Sequence, residues 1–314
     1  MRGVLRTIAV LMMAIAWCGN LGAATRTIPA GTLRDSPYRG AIAVEVSTGR
    51  VLFADQADRK GCPASVTKLM TSLVVLDAVK AGKLTLNEKV AAGSTRTEEE
   101  IWYRQPSCIG LAADEALTVE EYLRFLFVKS ANDAAVILAE RVAGSVEAFV
   151  QQMNDRAAGL GMTQTHFVNP NGLPPPPRKP KIGYNISTAA DLAKLSCAVL
   201  KEYPEVLKWT SVKYFDAKVP VTLPGKRREW VTTRVVNHNN VMVKDKLKIH
   251  NPDGSEAVDG LKTGFIQYGG SSVALTGHRG DKRVVVVVLG SNSSDERDAH
   301  ARHLLADALD ALGM

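Results

Sequence analysis

The sequence predicts an α/β protein in which one mixed sheet, built from both ends of the chain, is covered by helices. Strand-like segments lie near the start and in the last third of the chain, and helical patterns fill the middle. Such segregation is typical of folds in which helices pack on a sheet. The 314 residues are 46% hydrophobic and 23% charged. This is ordinary globular composition, and a chain of this length folds without needing a disulfide or a metal.

The first two thirds of the chain contain a hairpin followed by helices. Segments 41–46 and 51–53 are strand-like and flank a Ser-Thr-Gly-Arg turn, which predicts a β-hairpin. Pro63 opens a predicted helix that runs to Lys80 and stops at Gly82. A capping-box sequence, Thr-Val-Glu-Glu, begins at Thr118 and predicts the start of another helix. Further helices are predicted over 133–142, over 146–158, and from Thr188 to Pro204, while five prolines make 173–181 an extended loop.

The last third of the chain changes to strands. Five strands are predicted, over 212–215, 229–236, 257–266, 271–276 and 283–289, and a final helix over 295–312. No repeat or flexible linker interrupts the pattern. We therefore expect one domain over residues 25–314.

Residues 1–24 are predicted to be a secretory signal peptide. Arg2 and Arg6 precede an apolar run over 8–17, and small residues follow at 22–24. The run is too short to span a membrane. Cys18 suggests a lipoprotein acceptor as an alternative, but the bulky Trp17 before it argues for plain cleavage. We expect an exported protein, periplasmic or secreted, whose mature chain has no integral membrane segment.

Three cysteines remain after the predicted leader: Cys62, Cys108 and Cys197. An odd number leaves at least one thiol in an oxidising compartment. A Cys62–Cys108 bridge is compatible with the sequence, which does not establish connectivity. No partner pattern for a cysteine nucleophile surrounds any of the three.

The chain carries a formal charge of +7, and basic residues gather over 178–248. The simplest interpretation is a solvated basic face. Attraction to an anionic wall polymer or to a carboxylate-ended substrate is a second interpretation. A nucleic-acid surface is a third, and the predicted export argues against it.

Ser65 and Lys68 are the first residues whose spacing indicates chemistry. Residues three apart on a helix share a face. A serine hydroxyl is a poor nucleophile until a neighbour takes its proton, and a lysine of lowered pKa does this. Ser65 also lies in the first helical turn, where unpaired backbone N–H groups favour developing negative charge. Taken alone, one S-x-x-K pattern is expected by chance.

Ser130-Ala131-Asn132 falls between two predicted helices. Here a serine hydroxyl could relay a proton, and an asparagine amide could both donate to and accept from a peptide bond. The alternative is structural, because Ser and Asn are common N-caps.

Lys262-Thr263-Gly264 lies in an apolar strand. Lysine and threonine could hold a carboxylate there, and Gly264 lets a ligand approach the backbone. The alternative is an edge strand with a protective charge.

The three patterns together form the signature of penicillin-binding proteins and class A β-lactamases. The sequence resembles the low-molecular-mass penicillin-binding proteins, specifically the D-alanyl-D-alanine carboxypeptidases and their endopeptidase relatives, from about residue 41 to 312. The segments that carry the resemblance are PASVTKLMT at 63–71, KSANDAA at 129–135, THFVNPNGL at 165–173 and VDGLKTGF at 258–265. The resemblance implies a β-lactamase/transpeptidase-like fold: an antiparallel five-stranded sheet flanked by helices, with a helical lobe.

The resemblance also implies roles for particular residues. Ser65 would be the acylated nucleophile, Lys68 its general base, and Ser130 a second catalytic hydroxyl. Backbone N–H groups of Ser65 and Phe265 would form the oxyanion hole. The expected substrate-binding residues are Asn132, His238, Lys262, Thr263, Gly264 and Phe265. The implied ligands are D-alanyl-D-alanine peptides of peptidoglycan and, as covalent inhibitors, β-lactams; no cofactor and no metal are expected.

Two departures keep alternative functions open. His238 stands where some relatives have an arginine, which leaves recognition of a terminal carboxylate less certain. The sequence ends about fifty residues after Lys262, and we expect neither the β-rich second domain nor the amphipathic anchor of many relatives. An endopeptidase that cuts cross-links is the nearest alternative to a carboxypeptidase. A β-lactamase lacks its E-x-x-x-N element here, and a wall-binding protein without activity would not need Ser65, Lys68 and Ser130.

Overall fold

A computed structural model describes residues 38–93, 107–175, 180–222 and 228–313. The predicted leader lies outside the described residues, as do the centre of the proline-rich loop and part of the basic segment. The nine strands are β1 (Gly40–Glu45), β2 (Val51–Asp55), β3 (Lys89–Ala91), β4 (Ala116–Thr118), β5 (Tyr214–Thr222), β6 (Arg228–Val236), β7 (Val258–Ile266), β8 (Gly270–Arg279) and β9 (Lys282–Ser291) in the described part of the chain.

The described α-helices are, in chain order, α1 (Lys68–Lys80), α2 (Val119–Val128), α3 (Asn132–Ala143), α4 (Val146–Gly159), α5 (Ala189–Glu202), α6 (Leu207–Thr210), α7 (Asn240–Val243) and α8 (Ser294–Leu312). Thr118 forms the predicted capping box with Glu121, and Gly144 ends α3 in the left-handed conformation. Within the described ranges, no helix is long and apolar enough to cross a bilayer.

The main sheet has five strands in the order β2-β1-β9-β8-β7, and each neighbouring pair is antiparallel. The predicted fold class is therefore confirmed, and the sheet draws its strands from both ends of the chain. The finer expectation of one mixed sheet is wrong, because β5 and β6 pair only with each other along nine residues. They form a separate ribbon that packs on α2, where the rings of Phe125 and Phe215 meet edge to face at 5.2 Å.

The hydrophobic core lies on both faces of this sheet, which explains the run of five valines in β9. Val285 and Val287 point into the core beneath α1 and the other helices of the middle of the chain. Val284, Val286 and Val288 point into the core beneath α8. When a strand is buried on both faces, its sequence is a continuous run of apolar residues instead of an alternation of apolar and polar residues. The two cores fix the sheet between the helices, and the edge strand β7 faces the turn that carries Ser65.

Candidate active site

Ser65 and Lys68 lie where a short 3-10 turn, Ala64–Thr67, leads into α1. Lys68 is the first residue of the helix and is fully buried. Its Nζ donates a hydrogen bond to Ser65 Oγ at 2.9 Å. The predicted pair is therefore in contact, at a distance from which a proton can transfer.

Lys68 has two further acceptors, which orient its amine. Nζ donates to Asn132 Oδ1 at 2.7 Å and to the backbone oxygen of Asn171 at 2.7 Å. Burial away from water, followed by the nearby charge of Lys262, lowers the pKa of Lys68 well below its usual value. In the neutral amine, two N–H bonds satisfy Asn132 and Asn171, so the lone pair is left facing the Ser65 hydroxyl. In this arrangement the Lys68 amine could act as a base towards the Ser65 hydroxyl.

The segment that supplies the Asn171 oxygen is held by a network of asparagines. Asn185 Oδ1 accepts from the backbone N–H of Val168 at 2.7 Å, and its Nδ2 donates to Thr67 Oγ1 at 3.0 Å. Asn169 Oδ1 accepts from the N–H of Gly172 at 2.7 Å. A Cβ at Gly172, whose φ is +84°, would lie 1.9 Å from the oxygen of Ala64. Only glycine lets this segment approach the turn that carries Ser65.

Ser130 lies in the connection between α2 and α3, Asn132 is the first residue of α3, and both are buried. The N-cap alternative for Ser130 is wrong: Ala131 is the N-cap of α3, without a side-chain cap, and Asn132 turns its amide to Lys68. Ser130 has a φ of +60°, and Ala64, just before Ser65, has a φ of +49°. Strained non-glycine backbone of this kind costs about 1–3 kcal/mol and is concentrated at functional sites.

The strand β7 forms the other wall of the cleft. A Cβ at Gly264 would lie 2.8 Å from both the backbone nitrogen of Ser65 and the oxygen of Pro63, so the strand passes directly against the nucleophile. The neighbouring Lys262 and Thr263 are 1% and 6% exposed. β7 is an edge strand, but the protective-charge alternative is wrong because Lys262 is buried and donates to the oxygen of Thr263 at 2.9 Å. Burial, followed by the charge of Arg297, lowers the pKa of Lys262 to about 7.

His238 lies at the end of the cleft, in a segment pinned by its neighbours. Asn237 Nδ2 donates to the oxygen of Val212 at 2.8 Å, and Asn239 Nδ2 donates to the oxygen of Gly260 at 3.3 Å. The backbone N–H of His238 donates to the oxygen of Val128 at 3.3 Å. Loss of water on its packed side, followed by the charges of Lys262 and Lys68, lowers the pKa of His238 to about 4. The imidazole is therefore neutral at pH 7.

Arg297 is a residue of the site that the sequence patterns did not indicate. It lies in the first turns of α8, is 4% exposed, and donates to the carboxylate of Asp298 from Nε at 2.8 Å and from Nη2 at 2.6 Å. Its charge lowers the pKa of both Lys262 and His238. The sequence patterns did not indicate Asn171 as a site residue either, because it contributes its backbone oxygen and not its side chain. The FVNPNGL segment could have indicated Asn171, whereas no sequence pattern indicates Arg297.

The three cysteines are thiols, so the Cys62–Cys108 bridge is absent. Burial raises the pKa of Cys62, and it raises the pKa of Cys108 and of Cys197 to about 11. Protonated thiols are weak nucleophiles. In the described residues, no cluster of three or more histidine, cysteine and acidic side chains could hold a metal ion.

The sequence matches the family described as D-alanyl-D-alanine carboxypeptidase over residues 33–293. The chain belongs to this family. It is 32% identical to the D-alanyl-D-alanine carboxypeptidase DacF of Bacillus subtilis, over 85% of this chain and 61% of that protein. It is 28% identical to the D-alanyl-D-alanine endopeptidase of Escherichia coli, over 89% of this chain and 79% of that protein. The chain spans about 60% of the length of carboxypeptidases such as DacF and the Escherichia coli DacC.

Solved structures of penicillin-binding proteins share the fold. The D-alanyl-D-alanine carboxypeptidase DacD of Francisella tularensis superposes with a TM-score of 0.73 at 25% identity, covering 90% of this chain and 72% of that one. The cefotaxime-bound penicillin-binding protein D2 of Listeria monocytogenes superposes with a TM-score of 0.67 at 28% identity, covering 86% of this chain and 96% of that one. The resemblance stated from the sequence motifs is thereby confirmed.

Proposed function

We propose that this protein is a serine D-alanyl-D-alanine carboxypeptidase that trims peptidoglycan stem peptides through an acyl-enzyme on Ser65. The observation that carries the proposal is the contact of the buried Lys68 amine with Ser65 Oγ at 2.9 Å. Two fixed acceptors orient this amine, and its pKa is lowered by burial. The family relationship gives the substrate class. The predicted leader over 1–24 supports action outside the cytoplasm, in the periplasm or at the cell wall.

The proposed reaction has two steps. Lys68 takes the proton of Ser65 as Oγ attacks the carbonyl carbon of the penultimate D-alanine, forming a tetrahedral intermediate. The C–N bond to the terminal D-alanine then breaks as Ser130 passes its proton to the leaving amine, and Ser130 regains a proton from Lys68, which becomes neutral again. Water attacks the resulting ester while Lys68 accepts a proton from it. The ester C–O bond then breaks, Lys68 returns this proton to Ser65 Oγ, and the shortened peptide leaves.

The remaining residues would bind the substrate. The Ser65 and Phe265 N–H groups would stabilise the oxyanion, because Gly264 brings β7 against the Ser65 amide. Lys262 and Thr263 would hold the terminal carboxylate. Arg297 strengthens this role, since it adds a second buried cationic side chain near Lys262. The Asn132 amide would contact the substrate peptide through its Nδ2 while its Oδ1 accepts from Lys68.

Mass spectrometry after labelling with a penicillin tests the nucleophile, and release of D-alanine from a D-Ala–D-Ala pentapeptide tests the activity. The unmodified protein and a Ser47→Ala control, altered in the exposed β1–β2 turn, should carry one adduct on Ser65 and release D-alanine. Ser65→Ala should do neither. An adduct that persists in Ser65→Ala would disprove the assignment, and rapid hydrolysis of the penicillin would indicate a β-lactamase instead.

Endopeptidase activity is the second candidate, because the chain is also 28% identical to the Escherichia coli endopeptidase over 89% of its own length. His238 stands where some relatives have an arginine, so the cleft has no added cation there for a terminal carboxylate. Incubation with cross-linked wall fragments separates the two functions. Cleavage of cross-links at a rate comparable to D-alanine release from the pentapeptide would favour the endopeptidase, and cross-links left intact would remove it.

A further inference from the structure

Two tyrosines form a stacked pair at the end of the cleft beyond Ile266, away from Lys262. The rings of Tyr184 and Tyr268 lie 5.2 Å apart between centroids with an interplanar angle of 26°. Tyr268 is 74% exposed and Phe265, on the adjoining strand, is 63% exposed. Single exposed aromatics are common on protein surfaces. A stacked pair is a larger apolar surface than a single ring, and such surfaces mark binding sites.

The pair is attached to the catalytic turn from both sides. Tyr184 packs against a small buried cluster of Cys62, Ala64 and Ile266, which links the residues before Ser65 to the end of β7. Tyr268 lies in the turn after β7, where the N–H of Gly269 donates to the oxygen of Ile266 at 3.1 Å. The rings are therefore held by elements that also position the nucleophile, so the surface is continuous with the cleft.

The direction of β7 indicates which part of a ligand this surface would meet. Lys262 is on the side of the proposed terminal carboxylate, and Gly264 is level with Ser65. Ile266 is about 7 Å further along the strand, at roughly 3.3 Å per residue, and the turn with Tyr268 follows. A peptide extended alongside β7 would place its scissile carbonyl at Gly264 and its preceding residues towards the tyrosines.

We infer that the Tyr184–Tyr268 pair forms a subsite for the peptide segment that lies two to four residues before the scissile bond. The inference rests on the proposed function. Aromatic faces pack against amide planes and aliphatic side chains with little loss of conformational freedom. The ligand class is an extended peptide with aliphatic character in this segment. Bound there, it would cover rings that are otherwise in water.

A substrate-length series tests the subsite. The short substrate is an acylated D-Ala–D-Ala dipeptide, which ends before the tyrosines, and the long one is a stem pentapeptide that reaches them. In Tyr268→Ala, kcat/KM for the pentapeptide should fall roughly tenfold, while kcat/KM for the dipeptide stays within about twofold. Tyr268→Phe, which keeps the ring, should restore the value for the pentapeptide. Tyr214→Ala removes an exposed tyrosine from the β5–β6 ribbon and should change neither substrate.

Equal losses for both substrates in Tyr268→Ala, or no loss for either, would overturn the subsite. A second measurement separates this result from failure of the proposed function. Calorimetric binding of the pentapeptide is compared between Ser65→Ala and the Ser65→Ala, Tyr268→Ala double variant, where no turnover is needed. The subsite predicts weaker binding in the double variant; equal binding, or no binding to Ser65→Ala, would overturn it even if the unmodified protein released D-alanine.

Discussion

The two walls of the cleft each bury a lysine, but they hold it differently. On the helical wall, Lys68 donates to a hydroxyl, a side-chain amide and a backbone oxygen that come from three separate parts of the chain. On the strand wall, Lys262 donates to the oxygen of its own neighbour, Thr263. Neither lysine forms a salt bridge with a carboxylate among the described residues. The charge that lowers the pKa of Lys68 is that of Lys262, and the charge that lowers the pKa of Lys262 is that of Arg297.

In the proposed function, this difference distinguishes a general base, Lys68, from a substrate-binding group, Lys262. An amine whose N–H groups are all directed at fixed acceptors keeps one orientation, as proton transfer requires. An amine next to buried cations and without a carboxylate partner favours an anionic ligand, because the ligand supplies the missing counter-charge. In the proposed function, the helical wall would activate the nucleophile and the strand wall would bind the substrate carboxylate.

The largest expected effect comes from replacing the base itself. Lys68→Met should lower the second-order rate constant of acylation by a chromogenic cephalosporin by roughly 10³–10⁴, because the Lys68 amine is the group that contacts Ser65 Oγ by a hydrogen bond in the described part of the chain. Stopped-flow or mass-spectrometric measurement of adduct formation checks it. Lys83→Met, at an exposed lysine just after α1, should be acylated at the normal rate. A Lys68→Met variant that acylates within tenfold of normal would place the base elsewhere.

The next effect tests whether the two walls interact through charge. Acylation needs neutral Lys68, so its rate rises with pH through the pKa of that lysine. The charge of Lys262 lowers this pKa, and Lys262→Gln should therefore shift the acid limb of the acylation profile to higher pH, by on the order of one unit. The measurement is the acylation rate constant as a function of pH. Lys129→Gln should leave the limb in place; a limb that stays or moves to lower pH in Lys262→Gln contradicts the coupling.

A smaller effect is expected at the end of the strand wall. His238→Arg adds a cation beside Lys262 and should lower KM for a D-Ala–D-Ala pentapeptide by roughly threefold to tenfold, as one more charge-assisted hydrogen bond to a carboxylate would. His238→Gln, which adds no charge, should not. Steady-state release of D-alanine gives both values. An unchanged or raised KM in His238→Arg would mean that the terminal carboxylate lies away from this residue.

The smallest effect is expected on the stability of the helical wall, without a change in the rate of acylation. Thr118 and Glu121 cap α2, the helix that leads to Ser130. Thr118→Ala should reduce the free energy of unfolding by about 1 kcal/mol, measured by urea denaturation, with the acylation rate constant unchanged under native conditions. Thr118→Ser keeps the cap and should restore the stability. If Thr118→Ala lost acylation under conditions in which the protein is fully folded, the result would show that α2 positions Ser130 through this cap.

Local patterns in the sequence predicted much of the fold and of the site. Features that depend on neighbours within four residues could be predicted directly from the sequence. They include the capping box at Thr118, the end of α3 at Gly144 and the spacing of Ser65 and Lys68. The extent of β5 was underestimated, because Lys218 and Pro220 interrupt the apolar pattern while the ribbon partner across from them completes the strand. The protective-charge alternative for Lys262 failed for a similar reason, since burial is decided by what packs over an edge strand.

The sequence by itself determined the order of the longer helices and main-sheet strands, the strand over 283–289 and the residues that could react. Each follows from spacing along one strand or one helix. The tertiary structure alone decided that Asn171 presents its backbone oxygen to Lys68, 103 positions away, and that Arg297 reaches the side of Lys262 from the last helix. Contacts of this kind depend on how loops close and how helices seat on the sheet, and a backbone oxygen leaves no side-chain signature in the sequence.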